Sequence, residues 1–154
     1  MNKLLHVVAV AFLLSLGFSS HAGAQEAREN VVAQLKVVTD TKADDGFQPD
    51  QSALGRSVLI GVLEHESSVY LELTLDAQRE YHIAARCDTG CTNIDTSVMT
   101  PDYSLLADDT LANDQPKMDV RPAASGPHLL AVRMIACPSE ICYFGVVILS
   151  RPAR

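Results

Sequence analysis

The segment VYLELTLDAQREYHIAARCD, residues 69–88, contains two stretches in which apolar and polar side chains alternate. The apolar positions recur at every second residue: Val69, Leu71, Leu73 and Leu75 in the first stretch, and Tyr81, Ile83 and Ala85 in the second. Successive side chains of an extended strand point to opposite faces, so each stretch predicts a β-strand with one buried face. Residues 76–78, Asp-Ala-Gln, lie between them and predict a turn.

Shorter apolar stretches farther along the chain extend the same pattern. Residues 94–98 and 118–120 alternate as half-buried strands do, and two longer apolar runs follow them, HLLAVRMIAC (128–137) and CYFGVVILS (142–150). Turn-forming residues recur between these stretches at intervals of roughly 8–12 residues, which is typical of all-β domains. The sequence therefore predicts an all-β sandwich or barrel.

The N-terminal stretch, MNKLLHVVAVAFLLSLGFSSHAGAQE, has the organisation of a secretory signal. A positive charge at Lys3 precedes an apolar run over residues 4–18, and Ala22-Gly23-Ala24 has the small-x-small pattern of a cleavage site. A retained membrane anchor is the alternative, but the run is shorter than the roughly 20 residues that span a bilayer. We therefore predict a signal peptide over residues 1–24 and a periplasmic or secreted chain that starts at Gln25 and has no membrane span.

The chain after the predicted signal peptide is acidic. Lys3 is the only one of the 12 Lys and Arg residues within the signal, and all 19 Asp and Glu residues follow it, so 11 basic and 19 acidic residues give a formal net charge of −8. Nucleic-acid binding and adhesion to anionic lipid both depend on basic patches. We therefore expect no nucleic-acid partner.

Residues 26–40, EARENVVAQLKVVTD, predict one amphipathic helix. Its apolar residues recur near helical spacing: Val31, Val32, Leu35 and Val38. The helix either packs against the domain or docks a partner. The polar stretch 41–52, TKADDGFQPDQS, contains Gly and Pro and predicts a linker. The chain then divides into the signal peptide (1–24), an N-terminal helix and linker (25–52) and a β-sandwich domain (53–154).

Four cysteines lie in the part of the chain that is predicted to be exported: Cys87, Cys91, Cys137 and Cys142. Exported proteins usually meet an oxidising compartment, so disulfide bonds are expected, and four cysteines allow three pairings. The spacing favours the local pairs Cys87–Cys91 and Cys137–Cys142 because each pair encloses a turn, although a crossed pair such as Cys87–Cys142 stays open. In the local pairing, the second disulfide would close the loop of a hairpin.

Zinc binding and redox chemistry are the other uses of four cysteines. Structural zinc sites more often use C-x2-C spacing than the C-x3-C and C-x4-C spacing found here. A redox pair of the thioredoxin type needs C-x-x-C at the start of a helix, and neither pair has that spacing. We therefore expect structural disulfides, no bound metal and no cofactor.

Three stretches, in this order, resemble the bacterial pre-peptidase C-terminal domain: residues 69–88, NIDTSVMTPDYSLLADDTLANDQPKMDVRP (93–122) and SGPHLLAVRMIACPSEICYFGVVI (125–148). The shared features are a strand that ends in a turn, an aromatic-led strand, a short strand with an Asp between hydrophobic residues, an acidic loop, and a Ser-Gly motif before the closing hairpin. Gln78, Thr96 and His128 depart from the family pattern. The likeness covers roughly residues 55–150.

The resemblance implies a jelly-roll-like antiparallel β-sandwich, here preceded by one N-terminal amphipathic helix. In that family the module follows secreted peptidases and assists secretion or the attachment of substrate. The sequence shows no peptidase domain before the module, so we do not expect that role to carry over directly.

No group of residues predicts catalysis. Ser125 and His128 are close in sequence, but they lack the G-x-S-x-G motif, and no Asp can be named that would orient the histidine. His65 and His82 have no metal-ligand spacing. We therefore expect that the protein is not an enzyme.

The densest group of oxygen ligands is an acidic loop, in which Asp108, Asp109, Asn113 and Asp114 lie within seven residues. Such ligands suit Ca²⁺, and sandwich modules of the family that the sequence resembles sometimes hold calcium in loops of this kind. A solvated turn, with Asp109 or Asp114 capping backbone amides, is the simpler interpretation. We expect the solvated turn.

Two classes of function fit these observations. The first is a non-catalytic binding or accessory module that recognises a protein or an envelope polymer through its sheet face or its loops. The second is a small envelope-stress protein or an inhibitor of a hydrolase. An exposed apolar or aromatic surface would favour the first class, and a protruding rigid loop would favour the second.

Overall fold

The structure is a computed structural model that describes residues 19–154. Most of the predicted signal peptide, residues 1–18, lies outside the described residues. Helix α1 (Ser19–Ala43) contains the predicted cleavage point after Ala24, and its first fully buried side chain is Val31. Cleavage at that point would therefore leave the buried contacts of the helix intact.

The domain boundaries remain predictions. Within the described residues, no helix is long and apolar enough to cross a membrane.

Nine β-strands follow the helix in the described part of the chain: β1 (Gln48–Pro49), β2 (Val58–Glu64), β3 (Ser68–Leu75), β4 (Arg79–Cys87), β5 (Asn93–Met99), β6 (Leu105–Asp109), β7 (Lys117–Val120), β8 (Gly126–Ala136) and β9 (Ile141–Pro152). Every strand pairing is antiparallel. The expected all-β sandwich with one N-terminal helix is confirmed.

The strands form two sheets that pack face to face. In the first, β9 pairs with β4 along one edge and with β1 and β2 along the other, and β7 pairs with the far edge of β4. In the second, the strand order is β3-β8-β5-β6. Helix α1 packs on the outer face of the first sheet, which we call the helix-covered sheet. We call the second one the open sheet.

Strand β9 is buried on both of its faces. Phe144, Val146 and Ile148 point into the sandwich, whereas the alternate residues Val147 and Leu149 pack under the helix. Burial of a side chain of this size stabilises the fold by about 1.5–3 kcal/mol relative to full exposure. This is why residues 142–150 form a nearly continuous apolar run instead of an alternating one.

Gly145 lies on the helix-facing side of β9, where the helix approaches the sheet most closely. A Cβ atom at this position would lie 2.7 Å from side-chain carbons of Val31, Leu35 and Ile60. These separations are shorter than any van der Waals contact, so the absence of a side chain permits the observed packing of the helix.

We expect Gly145→Ala to lower the free energy of unfolding by about 1–3 kcal/mol, because overpacking forces the helix or its side chains to move. Chemical denaturation measures the change. Val37→Ala is the matched control, since Val37 is 64% exposed on the same helix and should shift the stability by less than about 0.5 kcal/mol. Equal stability of Gly145→Ala and the unmutated protein would contradict the close approach of the helix.

The interior of the sandwich contains one polar group without a partner in the described residues. Thr96 of β5 is buried among apolar side chains, and its hydroxyl makes no hydrogen bond with any residue from 19 to 154. A buried hydroxyl without a partner destabilises a protein by about 1–3 kcal/mol.

We expect Thr96→Val to stabilise the protein by about 1 kcal/mol, because the variant keeps the shape of the side chain and removes the desolvated hydroxyl. Thermal melting tests this. Thr74→Val is the control, since Thr74 is exposed on β3 and its hydroxyl is hydrated in both states. A less stable Thr96→Val would show that the hydroxyl has a partner after all.

The predicted hairpin between the last two long strands is wrong. Strand β8 lies in the open sheet, where β3 and β5 already occupy both of its edges, and β9 lies in the helix-covered sheet. The disulfide between Cys137 and Cys142 therefore closes a connection that crosses from one sheet to the other. Alternation alone could not reveal this, since adjacent strands in either arrangement have the same pattern.

The predicted N-terminal segment also differs in detail from the structure. The helix is longer than residues 26–40, and within the stretch predicted to be a linker, β1 pairs with the end of β9. The buried carboxylate of Asp50 accepts hydrogen bonds from Ser52, Ala53 and Ser150. Burial raises the pKa of Asp50, but these hydrogen bonds outweigh burial and hold that pKa below its ordinary value. Strand pairing and the hydrogen bonds of Asp50 thus hold this part of the predicted linker against the helix-covered sheet.

Candidate functional site

The cysteines lie at one end of the sandwich, where two connections pass from sheet to sheet. Cys87 is bonded to Cys91 between β4 and β5, and Cys137 is bonded to Cys142 between β8 and β9. These are the two local pairs favoured by the sequence. Each closes a short loop, so its stabilisation falls toward the low end of the range of roughly 0–5 kcal/mol.

Asp88 joins the two disulfide-closed loops to each other. Its buried carboxylate accepts hydrogen bonds from the backbone amides of Gly90, at 3.0 Å, and Tyr143, at 2.7 Å. Its own backbone amide donates to the carbonyl of Tyr143. This end of the domain is therefore cross-linked by covalent and hydrogen bonds, which makes it a scaffold more than a reactive site.

The structure separates the residues of the predicted acidic loop. Asp108 and Asp109 belong to strand β6, contrary to the expectation of a loop, and Asn113 and Asp114 lie in the connection to β7. The carboxylate of Asp109 accepts hydrogen bonds from the backbone amides of Leu111 and Lys117. Among residues 19–154, no three His, Cys, Asp or Glu side chains are grouped as a metal site requires.

Asp95 is the acidic residue with the least favourable surroundings. It lies on the outward face of β5 opposite Arg133, and its Oδ1 atom is buried without a hydrogen-bond partner in the described residues. Burial raises the pKa of Asp95, and the nearby carboxylates of Asp109 and Asp108 raise it further against the opposing effect of Arg133. Asp95 is thus repelled by two carboxylates of β6.

We expect that millimolar calcium leaves the melting temperature of the protein unchanged relative to EDTA, because the oxygens of Asp109 are already occupied by backbone amides. An occupied site would stabilise the fold by roughly 2.7 kcal/mol at a hundredfold excess over the dissociation constant. Such a site would raise the melting temperature by several degrees. A calcium-specific rise that disappears in Asp108→Asn would contradict this expectation.

The structure does not join Ser125 to His128. The hydroxyl of Ser125 donates to Asp76, whereas Nδ1 of the buried His128 lies 3.0 Å from the carbonyl of Gly126. His65 accepts a hydrogen bond from the backbone amide of Cys137. Each of these side chains has a local structural partner, and the serine and histidine have no hydrogen bond between them.

The outer face of the open sheet is not covered by any of residues 19–154, and it presents several apolar side chains. In one row across the strands, Leu129, Met99 and Leu105 are neighbours. In the adjoining row, Tyr70 lies opposite Ala131. We call these five residues the open face. Tyr70 and Leu105 are 63% and 61% exposed, and they belong to one group of neighbouring apolar side chains instead of being scattered singly.

A loop at the edge of the open face presents a further aromatic side chain. Tyr103 is 72% exposed and has a backbone φ of 64°, a left-handed conformation that is rare for a bulky residue. The loop is held by a hydrogen bond from the amide of Tyr103 to the carbonyl of Thr100, and by Asp102, which accepts from the hydroxyls of Thr100 and Ser104. Tyr103 is therefore presented by a fixed turn.

Hydrogen bonding also determines the electrostatics of this loop. The hydroxyls of Thr100 and Ser104 hold the pKa of Asp102 below its ordinary value. Asp102 therefore stays charged at neutral pH. The rest of the surroundings is acidic as well, because Glu72, Asp95 and Asp108 outnumber Arg133 on the outward side of the sheet. The open face is thus an apolar surface with a negative rim.

Sequence reasoning missed this surface, although one signal for it was present. Tyr70 occupies the outward phase of an alternating strand, between Glu72 and Ser68, where a polar residue is the rule. An aromatic side chain in that phase indicates either a covered face or a binding face. Tyr103 had no such signal, because the sequence indicates a turn at Thr100-Pro101-Asp102 but not the left-handed conformation and exposure of the residue that follows.

Comparisons with known proteins give structural matches only. No protein-family model and no curated protein sequence matches this chain. A periplasmic inhibitor of g-type lysozyme from Aeromonas hydrophila matches with a TM-score of 0.46 and 15% identity, over 61% of this chain and 84% of the inhibitor. The pre-peptidase C-terminal domain of a collagenase from Bacillus anthracis matches with a TM-score of 0.48 and 8% identity, over 59% of this chain and 86% of that domain.

A pre-peptidase C-terminal domain is thus among the structures that resemble this chain, as the sequence predicts. At these identities and TM-scores, neither likeness indicates what this chain binds. A functional conclusion therefore rests on the surface geometry of this chain.

Proposed function

We propose that the protein is an exported, non-catalytic binding module whose open face and Tyr103 loop recognise another protein. The partner would present an apolar patch surrounded by Lys and Arg side chains, to match the acidic rim. The observation that carries this proposal is a difference between the outer faces of the two sheets. The helix covers one outer face with apolar contacts, whereas the other outer face keeps Tyr70 and Leu105 in solvent.

The composition of the open face supports a protein partner. Protein interfaces are enriched in aromatic residues and Met at their centre, and charged residues lie at the rim. Tyr70, Tyr103 and Met99 have this character, and the charged residues surround them. A polysaccharide or nucleic-acid site would instead need a groove of stacked aromatic rings or a basic surface.

The cysteine pairs support the exported location. Disulfides persist in oxidising compartments and are rare in the cytosol, and in residues 19–154 all four cysteines are paired. An exported module with a cross-linked end can present its loops rigidly outside the cell membrane.

Inhibition of a hydrolase is the second candidate function, and the Tyr103 loop is the observation that favours it. An exposed aromatic side chain on a preorganised turn loses little conformational entropy when it enters a cleft. Under this alternative the partner would be an envelope hydrolase, and the loop would occupy its substrate cleft.

The proposal is tested by capture of partners from an envelope extract on immobilised protein, with four variants compared. Tyr70→Ala and Leu105→Ala should each weaken binding of the captured protein about tenfold, because buried anchors at an interface contribute on the order of 1–2 kcal/mol. Val62→Ala, on the outer face of the helix-covered sheet, should bind as the unmutated protein does, because Val62 lies outside the open face. Tyr103→Ala tests whether the aromatic side chain of the loop contributes to binding.

The outcomes are distinguishable. A captured protein that is lost in the open-face variants and weakened by added salt supports the proposal, because salt screens the acidic rim. If that protein is a hydrolase whose activity falls on binding and recovers with Tyr103→Ala, the inhibitor function is correct. Capture that is equal for all four variants, or a chain that binds only a second copy of itself, would overturn the proposal of a heterologous partner.

A further inference from the structure

A cavity of about 330 Å³ lies between helix α1 and the outer face of the helix-covered sheet, on the opposite side of the domain from the open face. Four basic or imidazole side chains line it: Lys42 from the helix, His82 and Arg86 from β4, and Lys117 from β7. No Asp or Glu is among the residues that line the cavity. In a chain with an acidic net charge, such a concentration of positive groups is an exception.

Arg86 is the central group of the cavity. Only 9% of its surface is exposed, and its Nη1 atom donates to the backbone carbonyls of Ala85, at 2.6 Å, and Pro116, at 3.5 Å. Those two bonds use one nitrogen of the guanidinium. Among residues 19–154, no carboxylate lies within 4.0 Å of Arg86. A buried charge without a counter-ion destabilises a protein unless a ligand or solvent compensates it.

Three other arginines have carboxylate partners. Arg79 lies 3.6 Å from the carboxylate of Asp50, and Arg121 and Arg151 both pair with Glu80. The fold thus supplies carboxylate partners to three arginines that are more exposed than Arg86. The other described arginines without a carboxylate within 4.0 Å are exposed to solvent, so Arg86 is the one that is both buried and without such a partner.

The other nitrogen-bearing side chains of the cavity differ in their acidic partners. His82 is held by Asp119, at 2.7 Å, and Lys42 lies 3.3 Å from Asp45. Lys117, at the mouth of the cavity, has no carboxylate within 4.0 Å in the described residues. Arg86 and Lys117 therefore have no direct ion pair, and Asp114 acts on Arg86 only from beyond 4.0 Å, so both cations can still bind an external anion.

The surroundings of Arg86 and His82 determine which of the two is charged at neutral pH. Burial lowers the pKa of Arg86, against the opposing effect of Asp114, but a guanidinium stays charged at neutral pH. Burial lowers the pKa of His82 more than Asp119 raises it, and Lys42 and Lys117 lower it further. His82 is therefore neutral near pH 7 and adds polarity without adding charge.

The rest of the lining is mixed. Val37 and Val38 of the helix supply an apolar patch, and Gln34, Thr41 and Gln115 supply polar groups. We propose that this cavity binds a small organic carboxylate, with the guanidinium of Arg86 making paired hydrogen bonds to the carboxylate and the two valines contacting its apolar group. The planar fork of a guanidinium matches the geometry of a carboxylate.

Val37 and Val38 favour an organic carboxylate over inorganic phosphate, because phosphate has no apolar part to contact the two valines. Two sources share the required chemistry: a free organic acid and the C-terminal carboxylate of a peptide. Benzoate represents the first source, and N-acetylvaline represents the second.

The test is a titration of the isotope-labelled protein, followed by its amide NMR signals, with benzoate, N-acetylvaline, benzamide and inorganic phosphate as separate probes. At least one carboxylate should cause saturable shifts of the amides of Arg86, Lys117 and Val38. Benzamide, which has the same shape without the charge, should cause none. Tighter binding of N-acetylvaline than of benzoate would assign the cavity to a peptide C-terminus, and the reverse would assign it to a free acid.

Variants establish which groups are responsible. Arg86→Gln should raise the dissociation constant at least tenfold, and Lys117→Gln should raise it severalfold, whereas Arg133→Gln, an exposed arginine on the open sheet, should leave it unchanged. Lys117 is exposed, so Lys117→Gln keeps the test decisive even if Arg86→Gln fails to fold. Equal binding of benzamide and benzoate, saturation by phosphate alone, no binding of either carboxylate, or full binding by Lys117→Gln would overturn the proposal.

Discussion

The close packing of helix α1 on strand β9 is the constraint on which the rest of the structure depends. Val31 and Leu35 reach the sheet because Gly145 has no side chain there, and Val147 and Leu149 complete the apolar contact. This packing converts a two-layer sandwich into three layers and buries β9 on both faces. It covers the outer face of one sheet, whereas residues 19–154 leave the outer face of the other sheet exposed.

The two sides of the domain consequently differ in character. On the helix side, β4 contributes the buried His82 and Arg86 beneath α1, and the cavity forms where helix and sheet separate. On the open side, none of residues 19–154 covers the apolar residues, and the fixed turn around Tyr103 presents a further exposed aromatic side chain. The disulfide-closed end holds the two sheets together, so both surfaces are presented on a rigid frame.

Much of the fold could be predicted from periodicity, and the failures have physical causes. Alternation located β3 and β4 because each has an inward face, and the apolar run at β9 indicated a buried strand. Alternation does not encode which sheet a strand joins, so the crossing between β8 and β9 was taken for a hairpin. Strand β6 was missed because its aspartates resemble those of a loop.

The candidate sites were harder to predict than the fold. The local cysteine pairs follow from spacing and turn residues, because only neighbouring residues are involved. The open face and the Arg86 cavity depend on residues far apart in sequence, which strand pairing and helix packing bring together. No local pattern marks such residues, apart from an aromatic side chain such as Tyr70 in the outward phase of a strand.

The most direct test of this account is a nuclear Overhauser measurement on the protein as purified from its compartment. The account predicts cross-peaks between the α-protons of Gly145 and methyl groups of Val31 and Leu35, since these groups are in contact. It predicts no long-range cross-peaks from the ring of Tyr70 to the helix. Cross-peaks from helix methyl groups to Tyr70 or Leu129, with none to Gly145, would place the helix on the other sheet and contradict the account.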